Sequence, residues 1–341
     1  MRLALVFDKV REDTLGVYFE RACRTLGIPY AHVWTREAGA IPRGYELYLR
    51  IDHGDYQDDL PEWAHPRVFY ASDTHLPKSW KRISAVAKRY DLVCCAQRDG
   101  AQRLRNGVWV PHACDAGLHG KRPLPKRWDV AFVGTEGGVP RKFYLQALRE
   151  RYANSFIGHA PHTALGAIYS QAKIGFNYSI RDDVNMRMFE ILCSGTLLVT
   201  NGLAHDDLAR LGLRGGEHLV TYRRPRELFE LIDYYLDHDQ EREAIARRGM
   251  ELVVQEHTYV HRLQQILELA NERLGVCWDG FAGDAEPGFP APVPRPEASG
   301  SLAEGSRARG EGEPDDARRL RRGEDAGMAQ RQDPRSGEWQ I

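Results

Sequence analysis

The feature that most constrains this chain is an alternation, run through twice, of short apolar stretches with segments of helical periodicity. In the first series Leu3 to Phe7 reads as a strand. Leu15, Tyr18, Phe19, Ala22, Cys23 and Leu26 then recur at the spacing that lines one face of a helix. Further strands are expected over Tyr30 to Trp34, Leu47 to Ile51, Val68 to Ala71 and Leu92 to Ala96, with a helix over Trp80 to Tyr90. A turn-rich stretch follows from Pro111 to Pro125, where Asp115, Gly117, Gly120, Pro123 and Pro125 break regular structure. The second series places strands at Val130 to Val133, Ser155 to Gly158, Ile174 to Tyr178, Leu197 to Thr200 and His218 to Thr221. Helices at Arg141 to Arg151, Thr163 to Gln171 and Met186 to Ser194 separate them, and helices over Pro225 to Asp237, Gln240 to Gln255 and Tyr259 to Leu274 close the folded part.

Such alternation builds mostly parallel α/β sheets. The expected organisation is an N-terminal Rossmann-like domain over 1–115, a linker over 116–127 and a second Rossmann-like domain over 128–282. Ligands of open parallel sheets sit outside the carboxyl ends of the strands, so the cleft between the two domains is the expected site. From about Gly283 the composition turns to Gly, Pro, Arg, Glu and Asp, too poor in large apolar side chains to bury a core, and residues 283–341 read as a disordered tail.

Composition narrows the class. Of 341 residues 42% are hydrophobic and 28% charged, ordinary globular usage. With 47 basic against 48 acidic side chains, nothing global favours nucleic acid or an anionic membrane as partner. The opening MRLALVFDKV has an apolar run too short for a secretory signal or a membrane span, so no integral membrane segment is expected there. Six scattered cysteines without a C-x2-C pair argue against zinc and a disulfide framework, and for reduced thiols in a cytoplasmic setting.

Candidate binding residues cluster in the second series. Arg181-Asp-Asp-Val-Asn-Met-Arg-Met-Phe-Glu190 leads through a loop into a helix that stops near Gly195. Asn185 is the expected N-cap, leaving backbone N–H groups near Arg187 to point at an anion. Arg187 and Glu190, three apart, share a face, and a surface ion pair between them is the plain alternative. Upstream, a strand runs into Gly134-Thr-Glu-Gly-Gly138, with Arg141 opening the next helix; Gly134 permits close backbone approach to a ligand, although an ordinary turn explains such a loop equally. Asn177, at the end of the strand between these motifs, completes the set. In the first series Asp52-His53 and Asp73-Thr-His75 end strands in acid and histidine. With Gln97 they are candidates to bind an acceptor hydroxyl and take its proton, unless the aspartates merely cap turns.

On these residues the chain resembles the CgeB-like, spore-maturation-type glycosyltransferases within the group-1 glycosyltransferase clan. The resemblance runs over about residues 45–270 and rests on Asn185 to Glu190 with Cys193 to Thr200, on Gly134 with Arg141, on the acid-and-histidine strand ends, and on Trp109 to Asp115. It implies a GT-B fold, two Rossmann-like domains facing a cleft, and transfer of a sugar from a nucleoside-diphosphate-sugar to a glycan, lipid or protein acceptor. No further cofactor is implied. The clan resemblance implies retention at the anomeric carbon, a ribose contact for Glu190 and a diphosphate contact for Arg141. The clan's sugar-binding glutamate falls here on Asp182, so Asp182 or Asp183 takes that part or the loop binds differently. No metal site is expected: Asp182 and Asp183 are adjacent, and capping explains Asp206 and Asp207. Two other readings stand: a nucleotide-sugar epimerase of the same fold and a non-catalytic nucleotide-sugar binding protein. A dinucleotide oxidoreductase is disfavoured, because Asp8 to Asp13 lacks the glycine fingerprint.

Overall fold

A computed structural model describes residues 1–11, 13–52 and 56–278. His53 and the segment read as a tail from 283 onward lie outside the described residues.

The first sheet takes β1 (Leu3–Val6), β2 (Tyr30–Val33), β3 (Leu47–Ile51), β4 (Arg67–Ala71), β5 (Leu92–Cys95) and β6 (Gly107–Trp109), all parallel, in the order β2-β1-β3-β4-β5-β6. Its helices are α1 (Leu15–Thr25), α2 (Pro77–Ala87) and α3 (Arg98–Gln102). The turn-rich connection holds one short helix, α4 (Ala116–His119), begun by Asp115, whose carboxylate accepts from the Leu118 N–H. The second sheet takes β7 (Trp128–Val133), β8 (Ser155–Gly158), β9 (Ala172–Asn177), β10 (Leu197–Asn201) and β11 (Val220–Tyr222), again parallel, in the order β11-β10-β9-β7-β8. With it run α5 (Arg141–Arg151), α6 (Leu165–Ser170), α7 (Met186–Cys193), α8 (Asp207–Arg210), α9 (Pro225–Asp237) and α10 (Asp239–Glu256).

Strands such as β1, β3, β4 and β5 are buried along their whole length because helices cover both faces, which is why they read as continuous apolar runs rather than as alternation. In each sheet the chain starts in an inner strand, moves to one edge and then returns past its starting point. The strand order therefore reverses between β1 and β3, and again between β7 and β9. Loops leaving the carboxyl ends of such strands diverge and leave a crevice.

The last helix, α11 (Tyr259–Leu274), leaves the second sheet's surroundings and returns to the first. Thr258 caps it, its hydroxyl accepting from the His261 N–H, and Gly275 ends it in the left-handed conformation at φ 69°. Tyr259, Leu263, Ile266, Leu267 and Ala270 form one stripe buried in the first core with Tyr18, Phe19, Ala22 and Cys23 of α1. Burying each large apolar side chain is worth about 1.5–3 kcal/mol, which holds α11 across the two sheets.

Candidate functional site

The two strand-order reversals open into one cleft of about 670 Å³, walled by loops from both sheets. Of the residues singled out in the sequence, Asp52, Asp73, His75, Gly134, Arg141, Asn185, Arg187 and Glu190 line it, together with Asp183.

On the second sheet's wall two guanidinium groups gather over one ring, Arg187 at 4.4 Å and Arg141 at 5.9 Å from the centroid of buried Phe132. Arg187 donates through Nε to Val133 O at 2.9 Å and through Nη1 to Asn177 Oδ1 at 3.2 Å. Arg141 donates through Nε to Glu136 O at 2.8 Å. These acceptors are all neutral, and among the described residues neither guanidinium pairs with a carboxylate. Burial, and then the nearby Arg187 charge, push the Arg141 pKa down, so the wall holds uncompensated positive charge. The loop glycines make room for it. A Cβ on Gly134, where φ is +138°, would stand 2.4 Å from Arg187 Nη2, and one on Gly137 would stand 2.4 Å from Arg141 Nη2. Such a pair, hydrogen-bonded in place beside a helix N-terminus, suits a diphosphate.

Glu190 sits deeper in the same wall, 5% exposed. No ion pair joins it to Arg187, whose side chain is committed to Val133 and Asn177; the surface-pair alternative does not describe this helix. Burial raises the Glu190 pKa to about 7, with the Asp13 charge adding and the Arg187 charge opposing. A buried carboxylate that opens on a cleft can accept two hydroxyl hydrogens. His119 of α4 lies behind it, Nε2 at 3.8 Å from Glu190 Oε1.

The other donor-side expectations resolve differently. Asn177 is fully buried and does not reach the cleft; it donates to Ser179 Oγ and Thr200 Oγ1 and accepts from Arg187, so it positions that arginine. Asn185 has the extended backbone of an N-cap but makes no side-chain capping bond, its amide turning to Ser179 Oγ at 3.4 Å. Asp182 points away from the cleft: Oδ1 accepts from the Ala204 N–H and the carbonyl meets His205 Nε2. Its neighbour Asp183 faces the cleft instead. Asp206 and Asp207, read as capping residues, make no side-chain cap and both pair with Arg98 at the start of α3.

On the first sheet's wall the two aspartates differ. Asp52 is spent on structure, its Oδ1 accepting from the Tyr56 hydroxyl at 2.6 Å and its Oδ2 from Ser72 N at 3.0 Å and Ser72 Oγ at 3.2 Å, which ties the end of β3 to that of β4. The Asp73 main-chain carbonyl accepts from the Leu76 N–H at 3.2 Å, while among the described residues nothing donates to its carboxylate. It opens to the cleft between protein walls, and desolvation, then the charges of Asp52 and Asp183, raise its pKa against the opposing His75. His75 Nε2 lies 3.9 Å from Asp183 Oδ2, and Asp183 Oδ1 accepts from Gln97 Nε2 at 2.9 Å, so a second-sheet carboxylate is held against the first.

Several lining residues carry no role in the sequence reading: Asp13 and Tyr18 beyond β1, Arg82 on α2, and His159 and His162 beyond β8; His112 enters it only within the Trp109 to Asp115 resemblance. The strand-end rule applied to every strand would have found His159 and His162. Tyr18 reads only as part of a buried helix stripe, with no local signal for the cleft.

Residues 118–268, under half of the chain, match a family described as glycosyl transferase-like. No curated protein sequence matches the chain. Among solved structures, HepE (Alr3699) of Anabaena, in complex with UDP and glucose, superposes with a TM-score of 0.56 at 11% identity, covering 80% of this chain and 100% of that one. The T4 phage enzyme BGT in complex with UDP-glucose gives 0.54 at 10% identity, covering 81% and 99%. TarM of S. aureus gives 0.50 at 11% identity, covering 66% and 55%. The fold is the GT-B arrangement of two parallel-sheet Rossmann-like halves. Among the described residues no helix is long and apolar enough to cross a membrane.

Proposed function

We propose that the protein transfers a sugar from a nucleoside-diphosphate-sugar to an acceptor bound in the cleft, without a metal. The observation that carries this is the donor wall: two arginines bonded only to neutral acceptors beside a buried carboxylate, at the strand-order reversal of the second sheet. Arg141 and Arg187 take the diphosphate and offset the charge that builds on it as the bond to the anomeric carbon breaks. Glu190 accepts from the ribose hydroxyls. Asp73 and His75 bind the acceptor hydroxyl whose oxygen forms the new bond, and Asp73 is the carboxylate with a raised pKa at hand for its proton. Retention, implied by the clan resemblance, would instead send that proton to the departing diphosphate and leave Asp73 to orient the hydroxyl. The CgeB-like assignment belongs to the same proposal and rests on the Asn185 to Glu190 and Gly134 to Arg141 segments. So does a hexose as the sugar moved. Support comes from the family match and from the complexes of HepE with UDP and of T4 phage BGT with UDP-glucose.

Calorimetry with UDP and 2′-deoxy-UDP tests the donor role. The wild type should prefer the ribose form, and Glu190→Gln should lose about tenfold or more of that preference, since a lost charged hydrogen bond costs about 1.5–3 kcal/mol. An unchanged preference in the variant removes Glu190 from the donor site. Incubation with UDP-sugars without acceptor separates transfer from epimerisation, which alone would yield an isomeric nucleotide-sugar.

A further inference from the structure

The strongest feature the proposed reaction leaves unused is the histidine behind Glu190. His119 is fully buried, and its Nδ1 accepts from the Asp115 backbone N–H at 3.1 Å. That bond fixes the tautomer: the proton of a neutral ring sits on Nε2. This Nε2–H has no partner within hydrogen-bond distance, an uncommon state for a buried donor, and it lies 3.8 Å from Glu190 Oε1. Asp115 is itself clamped, its two carboxylate oxygens accepting from Nε and Nη2 of Arg21 on α1. A line of contacts therefore runs from a helix of the first sheet, through α4, to the carboxylate on the donor wall.

We propose that His119 is a positioning residue for Glu190: its Nε2–H takes up one oxygen of the ionised carboxylate and turns the other toward the ribose hydroxyls, with Asp115 and Arg21 holding the ring in that tautomer and place. The inference rests on the donor role of Glu190 proposed above. A carboxylate shift of under an ångström closes the 3.8 Å gap to hydrogen-bond length. The charged groups around Glu190 are committed or carry the wrong sign. Arg187 on its own helix is bonded to Val133 and Asn177, and Asp13 from the loop after β1 repels. The Tyr259 hydroxyl of α11 donates to Met186 Sδ, and the Tyr169 hydroxyl of α6 accepts from the Val133 N–H. Tyr18 of α1 stacks on Tyr259 and meets the His119 ring at 5.6 Å. Burial lowers the His119 pKa to about 4, so the ring is neutral wherever Glu190, near 7, ionises, and the pair meets as N–H and carboxylate rather than as two charges. The Asp115 charge favours protonation of the ring, and His162 and Arg21 oppose it.

The test is the ratio of UDP to 2′-deoxy-UDP affinity measured across pH, in which ionisation of the diphosphate cancels. In the wild type the ribose preference should rise as pH passes through the Glu190 transition near 7. His119→Phe, which keeps the ring shape without the donor, should move that midpoint up by about one pH unit or more, a roughly tenfold loss of preference below the new midpoint. His119→Gln, which restores an N–H at the Nε2 position, should bring it back. Arg21→Met, at a half-buried surface site, should shift it in the same direction by less, and carries the test should His119→Phe fail to fold. An unmoved midpoint in His119→Phe, or in Arg21→Met where only that variant folds, overturns the assignment while leaving Glu190 as the ribose acceptor. A wild type with no ribose preference at any pH instead ends the donor role of Glu190 and this inference with it.

Discussion

Glu190 holds its carboxylate where burial opposes its charge, and that has a sign in stability. Its folded pKa, about 7, stands above its ordinary 4.5, so the native state binds the proton more tightly than the unfolded chain does. The stability contributed by the neutral form is fully present below about 4.5 and is lost as pH rises through 7. Glu190→Gln, fixed neutral, should therefore be more stable than wild type at pH 8, by about 3 kcal/mol, and indistinguishable from it only near pH 4, below the unfolded value. Chemical denaturation at the two pH values reads this directly. A variant less stable than wild type at pH 8 would mean that Glu190 supports the fold through an ion pair. Glu190, Arg141 and Gly134 were legible in the sequence because each lies in a short local pattern that places it at a strand or helix end. Asp13 and His119 were not, because they reach Glu190 only after the chain has folded back from other elements. The choice between Asp182 and Asp183 was also illegible, since it turns on left-handed backbone at Arg181 and Asp182, with φ of 55° and 58°.

Elements with long apolar runs or a clear helical stripe were read from the sequence nearly to their ends. The expected strands at Leu3, Leu47, Val68, Leu92, Val130 and Leu197 appear as β1, β3, β4, β5, β7 and β10. The misses have physical reasons. β6 spans three residues and begins with glycine, too short for a period to show, and α4 is a single turn inside a stretch whose glycines and prolines announce only breaks. α11 was expected as a helix, yet its stripe of Tyr259, Leu263, Ile266 and Leu267 gives no hint of which sheet it covers. Its burial against α1 makes a prediction. Leu263→Ala should cost about 2–5 kcal/mol in urea unfolding, as for a core leucine. A loss under about 0.5 kcal/mol would place that face of the helix in solvent.

At the scale of the molecule, the two sheets set their reversal points face to face, and side chains from one reach into the other. Gln97 holds Asp183 and Arg98 takes Asp206 and Asp207; in the connection between the sheets Arg21 takes Asp115, and the Cys114 backbone pairs with that of Thr258 in front of α11. Two parallel α/β units with a cleft between them followed from the repeated alternation; these cross-links did not, because each joins residues about 90 or more apart in sequence. In the proposed function the positive wall over Phe132 takes the donor diphosphate, and that contribution can be measured alone. Calorimetric titration of UDP and of uridine into wild type and into Arg141→Met/Arg187→Met, with circular dichroism to verify folding, isolates the diphosphate contribution. Two charged hydrogen bonds at about 1.5–3 kcal/mol each predict that wild type binds UDP at least about a hundredfold more tightly than uridine, and that the double variant binds the two almost alike. Equal affinity of wild type for UDP and uridine, or a UDP preference that survives the loss of both guanidinium groups, would contradict the assignment of this cleft to a nucleoside-diphosphate-sugar.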